Sequence, residues 1–284
     1  MADKGKIGIV AGAGQFPRLV AEAVRAGGGQ AYICCLRGFT DADLEPLAAA
    51  SVWVALGQLG KLIRFFKAHQ VTKICMAGAV SKSKALHVRP DWRGARILLK
   101  AFNTRGDDAL LRLIAGELAA DGLELVQAAE LAPALRGPAG VLTRRPPAPA
   151  EWDYIRRGWG IGKTLGRLDI GQCLVMYKNT VAAVEAMEGT DATLRRAGEL
   201  AQGCIALKML KPGQDTRLDL PSLGLATVEI LVEHHYACLA YEAGSTLFFD
   251  LDKALKLADE HKIAIVGIAP EQWADSSPNR GSAD

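Results

Sequence analysis

Aromatic residues are scarce, at 6% of a 284-residue chain, which leaves little for stacking on nucleobases. Neither sign of charge dominates: 34 Lys and Arg stand against 31 Asp and Glu, interspersed, for a net charge of +3. A polyanion binder gathers its basic residues on one face or in one run, so nucleic acid is not an expected partner. No apolar stretch approaches the ~18–20 residues of a spanning helix. The opening residues Met1–Lys6 lead directly into a short apolar segment, without the long apolar core of a signal peptide, and the expected compartment is the cytoplasm. The six cysteines (Cys34, Cys35, Cys75, Cys173, Cys204 and Cys238) show no C-x-x-C spacing. Set mostly in apolar runs, they read as small buried hydrophobes in a reducing compartment rather than as zinc ligands or disulfides.

What the chain does have is core material. Half of its residues are apolar and 23% are charged, the balance of a globular protein, and the length suits one large domain or two medium ones. Ile7–Val10 reads as a strand opening onto Gly12-Ala13-Gly14-Gln15-Phe16-Pro17, followed by a helix over Leu19–Ala26 and a stop at Gly27-Gly28-Gly29. The alternation continues with strands at Ala31–Leu36, Val52–Leu56, Lys73–Ala77 and Leu123–Val126, and helices at Leu59–His69 and Asp108–Ala120. Nearly all-apolar strands alternating with helices predict a parallel sheet covered on both faces, a Rossmann-like domain over residues 1–131. Five prolines (Pro133, Pro138, Pro146, Pro147 and Pro149) mark residues 132–152 as a connector. A second α/β domain is expected over 153–284. Its strands are read at Gln172–Tyr177, Cys204–Met209, Thr246–Phe249 and Ile263–Ile268, and its helices at Ala192–Gln202, Ala226–Glu242 and Leu251–His261.

Two glycine-rich segments resemble nucleotide loops. At Gly12–Pro17 a phosphate has room to approach backbone N–H groups at a helix N-terminus. Pro17 stands where the dinucleotide fingerprint needs a third glycine, and the end of the second strand offers Leu36 and Arg37 in place of an acid, so NAD is not the expected ligand. A ligand-free turn and a site for another phosphate-bearing or nucleoside ligand both fit. Gly158-Trp159-Gly160-Ile161-Gly162-Lys163-Thr164 imitates a P-loop, but Arg157 occupies the first glycine position and no apolar strand precedes it. The expectation there is a helix start with Lys163 in solvent, from where it could still reach a ligand.

The densest chemistry lies between Val184 and Thr227. Glu185, Glu188 and Asp191 are followed by Arg195 and Arg196, and then by Lys208, Lys211, Asp215, Arg217 and Asp219 among Pro and Gly. Carboxylates with Lys and Arg on strand-end loops suit Mg2+ or Mn2+ beside a phosphate ester, and they equally suit a solvated, salt-bridged loop system.

These residues also carry a resemblance. Leu168–Gln172, Ala182–Asp191 and Lys211–Pro221, together with Gly12–Pro17, Gly78-Ala79-Val80-Ser81-Lys82 and Gly106-Asp107-Asp108, resemble the LpxI-type UDP-2,3-diacylglucosamine pyrophosphatases of the lipid A pathway. One departure is Leu225, where the family pattern has proline after Gly224. The resemblance spans nearly the whole chain and implies a magnesium-dependent, two-domain hydrolase with its substrate between the domains. Water would attack the α-phosphorus of the UDP-lipid, giving UMP and 2,3-diacylglucosamine 1-phosphate. It implies Asp219, Asp191 and Glu188 as catalytic carboxylates, Asp219 and Asp191 also holding Mg2+ or Mn2+. The substrate would meet Gly12, Gly14, Gln15, Phe16, Gly78, Lys82, Asp107, Gln172, Thr190, Arg195, Arg196, Lys208, Lys211, Gln214 and Thr227. The implied partner is the UDP-linked diacylated glucosamine, met in transient contact with the inner membrane surface; a homodimer is expected from the frequency of twofold assemblies. Two rivals make different predictions: an NADP-dependent oxidoreductase, and a regulator that binds a nucleotide-sugar or lipid without turning it over.

Overall fold

The computed structural model describes residues 5–80, 90–101, 107–218, 220–269 and 273, with the backbone alone for 101 and 107–109. The chain divides into two units. One comprises Met1–Ala134 and Asp215–Asp219, the other Leu135–Gln214 and Leu220–Asp284.

In the first unit, β1 (Lys6–Ala11), β2 (Gln30–Leu36), β3 (Ala50–Val54), β4 (Lys73–Ala77) and β5 (Glu124–Leu125) form a sheet in the order β3-β2-β1-β4-β5. Every pairing in it is parallel. That order belongs to doubly wound α/β sheets, and it places the reversal of winding between β1 and β4. The helices are α1 (Phe16–Ala26), α2 (Leu59–Ala68), α3 (Trp92–Ala101), α4 (Asp107–Ala120) and the short α5 (Ala128–Leu131). Tyr32, Cys34 and Leu36 of β2 share a core with Leu62 and Phe66 of α2 and Leu118 of α4, while the alternate residues Ile33 and Cys35 are also buried. Burial on both faces is why this strand reads as an unbroken apolar run. Leu218, from the late segment that returns to this unit, packs on the same core.

The second unit holds a mixed sheet. Its strands are β6 (Gly140–Val141), β7 (Cys173–Tyr177), β8 (Thr180–Val184), β9 (Ile205–Lys208), β11 (Cys238–Glu242) and β13 (Ala264–Ile268), in the order β6-β13-β11-β9-β7-β8. The middle strands β9, β11 and β13 are parallel, and the edges are antiparallel. β10 (Ser222–Leu223) and β12 (Leu247–Phe248) pair apart from it. One face packs on α6 (Pro149–Arg167) through Ile155 and Trp159. The other packs on α7 (Thr190–Leu200), α8 (Leu225–Glu233) and α9 (Leu251–Glu260) through Leu194, Val228, Leu231 and Ala258.

Two expectations need correction. The helix expected over Ala226–Glu242 ends at Glu233, because Cys238–Glu242 is a central strand buried on both faces. No Gly or Pro marks the break; His235 takes the left-handed conformation (φ 52°), and Tyr236 donates its N–H to Leu231 O, closing the helix. The P-loop look-alike is the interior of the 19-residue α6, whose start is set by Pro149 and by the Glu151 carboxylate on Ala148 N–H (2.7 Å). Its Gly158, Gly162 and Gly166 form a stripe at i, i+4, i+8 that lets the helix settle on Leu207, Met209 and Lys211. Lys163 is not in open solvent but joined to Glu242. The Pro-rich segment 132–152 contributes β6 to the sheet edge and the first turn of α6.

Candidate functional site

At the switch between β1 and β4, the two following loops are stitched together. Gly12 N–H donates to Ala77 O (2.8 Å), Ala13 N–H to Ala79 O (2.8 Å) and Ala79 N–H to Ala13 O (3.0 Å). A Cβ on Gly12 would lie 2.7 Å from Ala79 O, and one on Gly78 would lie 2.7 Å from Ala13 O, so both glycines are required by backbone approach. Gly78 also sits at φ 91°, where a side chain is strained. Gly14 and Gln15 are exposed beyond this clasp; Gln15 is the residue before α1, and Phe16 is its first residue.

In the second unit, Lys208 ends β9 and Glu242 ends β11, two neighbouring parallel strands. Ligands of open α/β sheets bind outside such carboxyl ends. Lys208 is only 3% exposed, Glu185 8% and Glu242 7%. Charges this buried must be paired, and they are. Lys208 Nζ lies 3.6 Å from Glu185 Oε2 and donates to Thr190 Oγ1, which donates in turn to Glu185 Oε1 (3.0 Å). Gln172 N–H reaches Glu185 Oε2 at 3.3 Å, and Gln172 O accepts from Met209 N–H (3.0 Å). The buried Gln172 Oε1 has no hydrogen-bond partner. Asp191, in the first turn of α7, is exposed, yet its charge reaches the Cys173 thiol together with those of Lys208 and Glu185. Burial dominates there and pushes Cys173 up to about 12.

The structure thus gathers Gln172, Thr190 and Lys208 around Glu185. Glu188 is engaged elsewhere. It pairs with Arg196 (2.8 Å) and accepts from Ala186 N–H and Thr193 Oγ1, staples for the start of α7. Its own backbone N–H, then Arg196, holds its carboxyl below the usual glutamate range. Arg195 is exposed on α7. Lys211 Nζ pairs with Asp169 (2.6 Å), and Lys211 N–H reaches Gln214 Oε1 at 3.3 Å. Thr227 is buried in the first turn of α8. Asp215 accepts from the Arg217 guanidinium (3.0 and 2.7 Å), which holds its carboxyl below the usual aspartate range. Asp219 and Lys82 fall outside the described residues, as does the side chain of Asp107.

The sequence shows Glu185 only as one acid of the dense stretch and Lys163 only within a glycine-rich segment, and it gives Glu242 no role. For the two carboxylates the signal was a lone acid closing an apolar strand, at Val181–Val184 and Cys238–Tyr241; the second was hidden by the assignment of that strand to a helix. Lys163 was hidden by its glycine-rich surroundings.

Among the described residues no three His, Cys, Asp or Glu side chains gather to hold a metal ion. The exposed Asp191 is the type of oxygen donor Mg2+ accepts, since that ion keeps several waters and takes one or two protein carboxylates. Chemically, the carboxyl-end cluster is a set of buried, prealigned donors and acceptors, and its lysine is a point charge suited to a phosphate oxygen.

The LpxI N-terminal domain model matches residues 6–135, and the LpxI C-terminal domain model matches residues 138–266. The UDP-2,3-diacylglucosamine pyrophosphatase LpxI of Caulobacter vibrioides (strain ATCC 19089 / CIP 103742 / CB 15) is 34% identical over 278 residues, covering 94% of this chain and 99% of that protein. Glycinamide-RNase-transformylase T from Mycobacterium tuberculosis is 14% identical, covers 64% of this chain and 44% of its own, and superposes with a TM-score of 0.23. N5-Carboxyaminoimidazole synthetase from Staphylococcus aureus complexed with ADP is 13% identical, covers 62% and 38%, and gives 0.24. Those two overlaps are too low to bear on fold or function.

Proposed function

The chain belongs to the LpxI family, and from that membership we propose that it hydrolyses the diphosphate of UDP-2,3-diacylglucosamine in lipid A synthesis. The observation that carries the proposal is the match of both domain models in order, with a named pyrophosphatase aligned along 99% of its own length. The buried Lys208–Glu185–Thr190 cluster at a carboxyl end of the second sheet supports it as a place for a charged ligand.

In the proposed reaction a water oxygen bonds to the α-phosphorus and the bond from that phosphorus to the bridging oxygen breaks. The bridging oxygen stays with the sugar phosphate, so the products are UMP and 2,3-diacylglucosamine 1-phosphate. Asp219 and Asp191 are assigned to hold Mg2+ or Mn2+, and Asp219, Asp191 and Glu188, the last beside Arg196, to act as the catalytic carboxylates that direct the water. When bound, the cation neutralises phosphate charge and acidifies a coordinated water. Arg195, Arg196, Lys208 and Lys211 are assigned to the charge that develops on the diphosphate. Gln172, Thr190, Gln214 and Thr227 are assigned to substrate, along with Lys82, Asp107 and the Gly12–Phe16 and Gly78 turns. Among the described residues no helix is long and apolar enough to cross a membrane. A cytoplasmic protein that meets the inner membrane surface transiently, and that pairs as a homodimer, is part of the same proposal.

The test is release of UMP from the UDP-linked lipid by the purified protein, with and without EDTA. Release that depends on Mg2+, and that drops by orders of magnitude in a folded Asp219→Ala variant, supports the proposal. Tight binding without UMP release in Mg2+ would favour the non-enzymatic regulator instead.

A further inference from the structure

The pair formed by Lys163 and Glu242 has no assigned role in the proposed reaction, yet it grips one residue from both sides. Glu242 Oε2 accepts from Lys163 Nζ (2.5 Å) and from Leu210 N–H (2.9 Å), while Lys163 Nζ also donates to Leu210 O (3.1 Å). Both backbone polar groups of Leu210 are therefore held by one ion pair. Leu210 is where the chain leaves β9, with Lys208 two residues before it and Lys211 immediately after it. α6 reinforces the grip along its length. The Gly162 position faces the Met209 thioether, and the Gly166 position faces Lys211 Cα and Pro212 Cδ, each at a distance that leaves no room for a methyl group without a shift.

An ion pair with Glu242 buried and Lys163 half-buried is a poor source of net stability, because desolvation offsets most of the attraction. Its directional bonds, however, fix backbone geometry. We infer that Lys163 and Glu242 are positioning residues that lock the main chain at Leu210 and so set the spacing and direction of Lys208 and Lys211. The inference rests on the proposed function, which assigns those two lysines to the diphosphate. Neither Lys163 nor Glu242 touches the substrate; they act through the peptide unit they hold. Misalignment of about 1 Å at a charge-stabilising group lowers turnover by up to roughly a hundredfold, because the lost interaction is one made in the transition state.

The experiment uses the full chain with Glu242→Gln, Lys163→Met and the double variant. Glu242→Gln is nearly isosteric and keeps an acceptor, so it stays informative if Lys163→Met does not fold. Two readouts are taken: hydrogen exchange of peptides covering residues 209–218, and kcat and KM for UMP release. The expected result is faster exchange confined to 209–218, a roughly ten- to hundredfold fall in kcat with KM within about threefold, and a double variant no worse than either single one. Unchanged exchange in a folded variant, or an unchanged kcat, overturns the inference. If the unaltered protein releases no UMP, the proposed function fails, and the exchange readout still judges the grip on Leu210.

Discussion

Lys208 Nζ stands 3.6 Å from Glu185 Oε2, with the two side chains 4% and 10% exposed, across the gap between the end of β9 and the turn after β8. Removing one member strands the other charge. Lys208→Met should destabilise the protein by about 3–5 kcal/mol, and adding Glu185→Leu should recover most of that loss. Urea unfolding of the two variants checks it; a double variant no more stable than Lys208→Met would contradict the prediction.

Two helical glycines should respond in opposite directions to the same change. A methyl group at Gly158 would lie 2.3 Å from Leu207 Cδ1 and 2.8 Å from Met176 Cγ in a packed core, whereas one at Gly116, exposed on α4, meets nothing within 4 Å. Gly158→Ala should cost about 1–3 kcal/mol through overpacking, and Gly116→Ala should stabilise by roughly 0.5–1 kcal/mol through helix propensity. Thermal melts of both variants decide it.

The clasp between Gly12 and Gly78 makes a third test. Gly12→Ala forces a methyl group against the Ala79 carbonyl, backbone that has no rotamer to retreat into. The loops after β1 and β4 should part, with a loss of about 1–3 kcal/mol by the usual cost of overpacking. Faster amide exchange at Ala13 and Ala79 is the local signature.

All six cysteines are buried free thiols. Burial pushes Cys34, Cys75 and Cys173 up to about 12 and Cys35 up to about 11, so almost no thiolate is present at pH 8. Titration with a chromogenic disulfide reagent should count close to no thiols in the native protein and six after denaturation.

Glu188 supplies a pH signature. Its carboxyl is held below the usual glutamate range in the folded protein by its own backbone N–H and by Arg196. Its contribution is present above the ordinary glutamate pKa and disappears as pH falls through the lowered folded value. Unfolding free energies of the natural protein and of Glu188→Gln should therefore differ most near neutral pH and converge in acid.

Legibility followed the range of the interactions involved. Strands such as Ala31–Leu36 were readable because burial on both faces writes an unbroken apolar run into local sequence. The break between α8 and β11 was not, because a left-handed His235 does the work usually marked by glycine. α6 was misread because its glycines serve close packing against β7 and β9, a requirement set by distant partners. Among the charged residues, density and spacing marked one stretch of chain, yet could not separate Glu188, engaged in stapling a helix, from Glu185, sealed against Lys208.

The chain by itself determined the alternation of strands and helices, the glycines at the β1 turn, and the motifs that tie it to its family, all of which are local patterns. Only the tertiary structure decided which charges are paired and which are open. Lys163 and Glu242, 79 positions apart, meet over Leu210 because α6 and β11 pack there. Desolvation then compels the pairing, and no spacing in the sequence carries that information.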